Sequence, residues 1–320
     1  MKWWMWLMVV VVSVGYAQEE GTYRAKLTFR VVDSLGKPVT NANARVGFYL
    51  WSEKPSGATG KTDTNGFFTV EGLCSVDATG QFTKNEYYPT SYKHTFPNPR
   101  RTPNAVKDGK WQPWNPTIEI TLKEKRNPIP MYVRSIDTQI PKNERIGFDC
   151  EKGDWVKPHG KGEVGDFSVC YESSALGWFD LSDKTIRLII SSKEDEGFIE
   201  LEKDTYSFAQ TVYEAPKEGY NPEFVLSLER KEGKILNEIK LPENRYLVFR
   251  SRVKKDEEGN IIHSRFGKII SMKYGENRLT KEGHGYIKFL YYFNPSDNDR
   301  NLEYDCVNNL INPRERINAP

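Results

Sequence analysis

No charge of either sign dominates this 320-residue chain: Lys+Arg 46 stand against Asp+Glu 44, a formal net charge of +2. No global field draws it to nucleic acid or to an anionic membrane, and a nucleic-acid partner is not expected. Cysteine is sparse, four residues without a C-x-x-C pair. The four histidines, His94, His159, His263 and His284, lack ligand spacing, so a zinc site is disfavoured. There is no G-x-S-x-G, no H-E-x-x-H and no P-loop, hence no standard nucleophile elbow, zinc-protease helix or phosphate cradle, and no cofactor is expected. Nor does any long segment show the 3.6-residue period of an amphipathic helix.

What the chain does have is aromatic side chains: 17 Tyr, 16 Phe and 8 Trp, a composition suited to pleated, half-buried sheets. Its length exceeds the usual ~100–150 residues of one domain, so two domains are expected. At the amino terminus Lys2 precedes an apolar run from Trp3 to Val12, then Ser13-Val14-Gly15-Tyr16-Ala17 and the polar Gln18-Glu19-Glu20. Gly15 and Ala17 suit the small positions of a signal peptidase site, and the run falls short of the ~20 residues that span a bilayer. Residues 1–17 are therefore expected to be a signal peptide, the alternative being an uncleaved anchor. The expected location is periplasmic or secreted, with no membrane span once the signal is removed.

Export permits disulfides. Cys74, Cys150, Cys170 and Cys306 allow three pairings, and Cys150 with Cys170, close in the chain and in neighbouring strand-like segments, is the expected pair. Cys74 with Cys306 would then complete the set.

From Tyr23 to Val32 apolar and polar residues alternate, which gives a half-buried strand. Asp33-Ser34-Leu35-Gly36-Lys37-Pro38 is a turn, and a second strand runs from Ala44 to Leu50. Lys61 to Gly72, K-T-D-T-N-G-F-F-T-V-E-G, reads as a hairpin with a type I′ turn at Asn65-Gly66. Asp33, Gly36, Pro38, Val39, Ala42, Ala44 and Val46, followed by Thr62, Asp63, Asn65, Gly66 and Phe68, make a pattern that resembles the carboxypeptidase regulatory-like domain of the transthyretin-like β-sandwich group. The resemblance covers about a third of the chain, residues 21–126. It implies a compact sandwich acting as an accessory or binding module, and it brings no catalytic residues.

The chain departs from that pattern after Gly72. Thr90 to Pro116 holds five prolines and is expected to lack regular elements before a last strand at Thr117–Leu122. Trp111 and Trp114 there, with Tyr87 and Tyr88, either form an aromatic platform for a sugar or peptide or pack down to anchor the loop.

Lys123 to Pro130 closes a charged run with two prolines, and residues 127–144 read as linker and first strand. Beyond it, residues 145–320 alternate strand candidates with turns: Arg145–Cys150, Asp166–Glu172, Thr185–Ser191, Glu223–Arg230, Ile235–Leu241, Arg245–Lys254, Asn260–Tyr274 and Gly285–Phe293. This spacing predicts a second antiparallel β-sandwich or jelly-roll-like domain, and an all-β chain.

Three further groups are candidates for chemistry. Arg250, Arg252, Arg265 and Lys268 would form a basic face if they shared one side of a sheet, or an ordinary solvated surface. Asp297, Asp299 and Asn301 have the alternate spacing of a calcium loop. Leu302 and Asn308, however, stand where that loop needs Gly and Glu, and the other reading is an Asx-rich turn. Asp149, Glu151 and Asp154 sit beside Trp155 as a glycosidase acid pair might, but so close in sequence they read as a turn. The sequence thus predicts an exported, non-enzymatic binding or structural protein of the cell envelope or extracellular space, with a protein or glycan partner. The alternative is a carbohydrate-binding or carbohydrate-active protein that uses the Trp111/Trp114 loop or a site in the second domain.

Overall fold

The structure, a computed structural model, describes residues 21–51, 56–174, 183–204, 207–276, 284–315 and 317. The expected signal peptide lies outside them. The chain is all-β, with no helix among the described residues and hence none long and apolar enough to cross a membrane. It divides into two compact units, the first comprising Met1–Asn85 and Pro89–Leu122, the second Glu86–Tyr88 and Lys123–Pro320.

In the first unit the strands are β1 (Tyr23–Val32), β2 (Asn43–Phe48), β3 (Ser56–Lys61), β4 (Phe67–Cys74), β5 (Asp77–Thr83), β6 (Thr90–Thr95), β7 (Val106–Lys107), β8 (Lys110–Trp111) and β9 (Thr117–Thr121). One sheet runs β4-β1-β8-β7 with β9 also on β1; the other runs β3-β2-β5-β6. Alternation in β1 buries Ala25, Leu27, Phe29 and Val31, and Phe29 meets Phe82 of the facing sheet with ring centroids 5.0 Å apart. Most pairings are antiparallel, but β9 and β8 lie parallel to β1.

Lys61 to Gly72 is not a hairpin. β3 pairs with β2 and β4 with β1, so the segment passes from one sheet to the other. Only Gly66 has positive φ, at 78°; Asn65 does not, and no type I′ turn forms. Asp63 organises the turn instead. Its backbone N–H donates to Phe67 O at 2.9 Å, Gly66 N–H donates to Asp63 O at 3.1 Å, and Asp63 Oδ1 accepts the N–H groups of Asn65 and Phe67. The same five-residue D-x-x-G-x loop recurs at Asp33–Lys37 and at Asp256–Asn260, with Gly36 at φ 77° and Gly259 at φ 87°. An Asx side chain bonding the backbone two and four residues on, with glycine in the left-handed position, is what these three sequences share.

The proline-rich excursion is also more ordered than its composition suggests. β6 precedes its first proline, and β7 and β8 form a hairpin around Asp108-Gly109, both at positive φ, with Lys107 opposite Lys110. Asp-Gly is the turn signal that finds it.

In the second unit the strands are β10 (Ile129–Ile140), β11 (Arg145–Asp149), β12 (Asp154–Trp155), β13 (Phe167–Ser173), β14 (Lys184–Ser191), β15 (Gly197–Glu202), β16 (Glu223–Lys231), β17 (Lys234–Ile239), β18 (Arg245–Lys255), β19 (Ile261–Glu276), β20 (Gly285–Phe293) and β21 (Tyr304–Asn309). They form two six-stranded sheets, β15-β18-β19-β20-β10-β21 and β12-β11-β13-β14-β16-β17. Ile129–Ile140, at the proline-bounded segment, is a full strand paired on one side with β20 and on the other with β21. Aromatic rings from the two inner faces interlock: Phe148 lies 5.1 Å from Phe289 and Phe167 lies 5.6 Å from Phe249. Such edge-to-face contacts add to the area they bury.

All four cysteines are free thiols, so the expected pairings are corrected. Arg145 faces Cys170 and Phe148 faces Phe167 across the β11–β13 pair. Extending that register leaves Cys150 about five residues, or ~16 Å, from Cys170 along the strands, where a disulfide needs Cα atoms within ~7 Å. Four labels per chain are expected when the unreduced protein is treated with a thiol reagent in denaturant and weighed; fewer than four would contradict this.

Candidate functional site

The residues expected to make a basic face are instead drawn into the protein. β18 carries a bulge between Ser251 and Lys254, and Arg252 takes a left-handed φ of 53° there. The bulge breaks the alternation of side chains, so that Ser251 Oγ and Arg252 Nε both donate to Asp166 Oδ1, at 2.9 and 2.8 Å. Arg252, its side chain 14% exposed, also contacts Glu151 at 2.8 Å and Asp149 at 3.5 Å. Arg265 joins through Glu151 at 2.8 Å and Asp297 at 2.5 Å, and His263 lies 3.4 Å from Asp297. Arg250 donates to the carbonyl of Asp195 and stacks over Tyr220 at 4.6 Å. Lys268, at 0% exposure, donates to Thr211 Oγ1 at 2.7 Å beneath the Tyr292 ring. The four cations do not make one basic face: Arg252 and Arg265 are engaged by carboxylates, Arg250 by carbonyl oxygens and a ring, and Lys268 is buried.

The same network takes up Asp149 and Glu151 of the acids beside Trp155, with Asp166 added, whereas Asp154 accepts the backbone N–H groups of Trp155 and Lys161. Asp166 is buried, which raises its pKa despite the opposing Arg252. Burial would also raise Asp149, but the N–H groups of Glu163, Val164 and Lys152 outweigh it and hold that carboxyl below the usual range. These acids fix a turn and neutralise arginines.

Aromatic candidates fare similarly. Trp111 is buried, its Nε1 donating to Cys74 O at 2.9 Å and its ring stacked 4.9 Å from Phe96, so the platform built on it is corrected. Trp114 is half-buried beneath Lys110. Tyr87 and Tyr88 belong to the second unit; Tyr87 OH donates to Glu124, and buried Tyr88 donates to Glu303 at 2.8 Å.

Glu303 leads to a polar recess, which sequence reasoning missed. One of its oxygens accepts from Tyr88 OH and from Arg126 N, the other from Asn127 N at 2.7 Å. Asn301 donates from Nδ2 to Asn127 O at 2.6 Å and accepts from Glu303 N, while Asp299 Oδ1 accepts from Asn301 N. Buried Asn294 donates to the carbonyls of Asp299 and Asn301. These bonds fix the 294–303 loop against 126–127. Asp297 turns away to Arg265, so Asp297, Asp299 and Asn301 do not converge, and among the described residues no group of three His, Cys, Asp or Glu has metal-binding geometry.

Over this floor opens a cavity of about 310 Å³ lined in part by Arg126, Asn127, Tyr213, Glu214, Asp299 and Arg300. The Arg126 guanidinium lies 4.1 Å over the Tyr213 ring, and Tyr213 OH donates to Glu124 O at 2.6 Å, which holds the ring. Burial pushes the Tyr213 phenol up to about 12 even beside Arg126, so it stays protonated. Arg300 is committed to Glu214 and Ala215 O. Among the described residues the Arg126 guanidinium has no ion-pair partner, and the Asn127 side-chain amide has no hydrogen-bond partner. The recess therefore offers a forked cation, an amide and one oxygen of Asp299.

No family model matches this chain, and no curated protein does. Among solved structures, it is similar to a 3-chlorocatechol 1,2-dioxygenase from Rhodococcus opacus 1CP at 12% identity and TM-score 0.26, covering 32% of this chain and spanning 60% of that enzyme. A carbohydrate-binding candidate from Bacteroides uniformis ATCC 8492 aligns at 10% identity and TM-score 0.20, over 83% of this chain and 97% of the other. The shaft pilin SpaA of Lactobacillus rhamnosus GG aligns at 13% identity and TM-score 0.20, over 77% and 92%. At these scores the likenesses decide nothing about activity.

Proposed function

We propose that this chain is an exported, non-enzymatic binding protein of the cell envelope or extracellular space, and that its second sandwich holds a polar ligand group at the Arg126–Tyr213 recess. The first sandwich is read as a carboxypeptidase regulatory-like module, a reading supported by the D-x-x-G-x loops at Asp33 and Asp63 that carry the resemblance. One observation carries the binding reading: a guanidinium stacked on a fixed ring, without an ion pair among the described residues, at the mouth of a braced polar cavity. Such a pre-oriented fork suits a carboxylate, and Asn127 and Asp299 suit amide or hydroxyl groups beside it. A protein or a glycan partner can present both. The non-enzymatic reading is supported by the acids near Trp155, which are bound to arginine and backbone donors.

The test is a glycan array and an acidic-peptide array probed with the purified full chain. For at least one array ligand, binding is expected to fall at least tenfold in Arg126→Ala and to persist in Arg101→Ala, an exposed arginine of the first unit. No ligand with this dependence on Arg126, or no binding at all, overturns the proposal.

A further inference from the structure

A second, independent surface lies on the first sandwich. Outward residues of β2 are Asn43, Arg45 and Gly47, and the alternation continues past the strand end because Tyr49 N–H donates to Asp77 O and Ser75 N–H donates to Tyr49 O, both at 2.8 Å. Tyr49 and Trp51 therefore extend the same exposed face. They are 45% and 64% exposed, with rings 5.4 Å apart at 83°.

Across the sheet Arg45 faces Gln81, which faces Ser91, and Gly47 faces Thr79, which faces Lys93. The small residues Gly47, Thr79 and Ser91 make the floor of a groove of about 530 Å³, with Arg45 and Gln81 on one side and Lys93 on the other. That volume is in the range of small-ligand sites, ~300–1,000 Å³. A Cβ at Gly47 would meet nothing nearer than 3.9 Å, so the glycine leaves the groove open without being required by packing. Lys93 is paired with Asp77 at 2.9 Å, whereas the Arg45 side chain makes no ion pair or hydrogen bond among the described residues.

We infer that this face binds a saccharide chain that carries carboxylates, a uronic-acid glycan. The exposed Tyr49–Trp51 pair offers ring faces to the C–H face of a sugar, Thr79, Gln81 and Ser91 offer groups for its hydroxyls, and the unpaired Arg45 fork takes the carboxylate. Hydroxyl and amide side chains, Thr79, Gln81 and Ser91, stand on the same face as two exposed rings, a combination that favours a sugar over a peptide. The extended face spans seven residues from Arg45 to Trp51, six steps or about 20 Å at the strand rise, enough for an oligosaccharide. This inference goes beyond the recess of the second unit and does not depend on it.

The probe is tetragalacturonate, with its methyl ester as the uncharged counterpart, titrated into the full chain by calorimetry. The acid is expected to bind saturably and at least tenfold tighter than the ester. Gly47→Leu, which fills the groove, and Trp51→Ala are each expected to weaken binding at least tenfold with an unchanged melting temperature. Arg45→Ala should abolish the preference for acid over ester, while Arg126→Ala should leave binding intact, which separates this site from the recess. Absence of saturable binding, equal affinity for acid and ester, or full binding by Gly47→Leu overturns the inference. If Gly47→Leu fails to fold, Trp51→Ala decides alone.

Discussion

Replacing Arg252 with methionine is expected to destabilise the second unit by about 3–5 kcal/mol, the usual cost of leaving a buried charge without its partner. Asp166 is buried and takes two of its bonds from this guanidinium, at 2.8 and 3.1 Å, so its remaining donors are Cys150 N–H and Ser251 Oγ. The same substitution leaves Asp149 and Glu151 without Arg252, although Arg265 still meets Glu151. The Asp166 pKa is already raised in the native protein. A group raised on folding contributes stability below its unfolded pKa and loses it as pH rises through the folded value. Loss of Arg252 enlarges the shift, so the variant's deficit should be greatest at pH 7 and shrink as pH falls toward 5. Urea melts at both pH values check this. A deficit under 1 kcal/mol at pH 7, or one that grows on acidification, would refute the electrostatic account.

Lys268 supplies the second large effect, with the opposite sign. Burial lowers its pKa from the ordinary 10.5 to about 7, against the raising influence of Cys306 and Glu303 and with a lowering contribution from Lys123. Thr211 Oγ1 and the Tyr292 ring complete its surroundings. Between pH 7 and 10.5 the unfolded chain holds a proton at this site that the folded chain has released, so stability must climb with pH, by up to ~1.4 kcal/mol per pH unit. Wild-type protein is therefore expected to gain on the order of 2 kcal/mol between pH 7 and 9, before the unfolded cysteines ionise fully. Lys268→Met should remove most of that rise. The discriminating quantity is the difference between the two pH profiles from chemical denaturation; parallel profiles would show that Lys268 is charged in the folded protein.

Much of the fold was legible in the sequence because a half-buried strand must alternate. β1 matches the predicted strand from Tyr23 to Val32, and β11, β13, β14, β16, β18 and β20 start and end within about one residue of their predictions. The Asp256–Asn260 hairpin was legible for a local reason: an aspartate that bonds the two N–H groups of its own turn needs only a glycine in the left-handed position. β15 was hidden because its sequence lies within an acidic stretch, and β7–β8 because prolines around it outweighed the Asp-Gly signal.

The functional residues were less legible. Asp299 and Asn301 were singled out for their spacing, and the structure uses them to hold a loop under the recess; Arg126 and Tyr213 carried no signal, since they are 87 residues apart and meet only through tertiary packing. Tyr49 and Trp51 were within reach, because the two-residue alternation of β2 already points them outward with Arg45.

By itself, the sequence determined the all-β class and most of the long strands, since these depend on periodicity over a few residues. Only the tertiary structure decided which sheet each strand joins, so that Lys61–Gly72 bridges two sheets where its local pattern reads as a hairpin. It alone turned Arg252 inward, through a bulge that shifts side-chain facing by one residue. It alone buried Trp111 and Lys268 and left Cys150 and Cys170 out of register. In each case the outcome rests on which distant strand lies alongside, and local composition does not encode that choice.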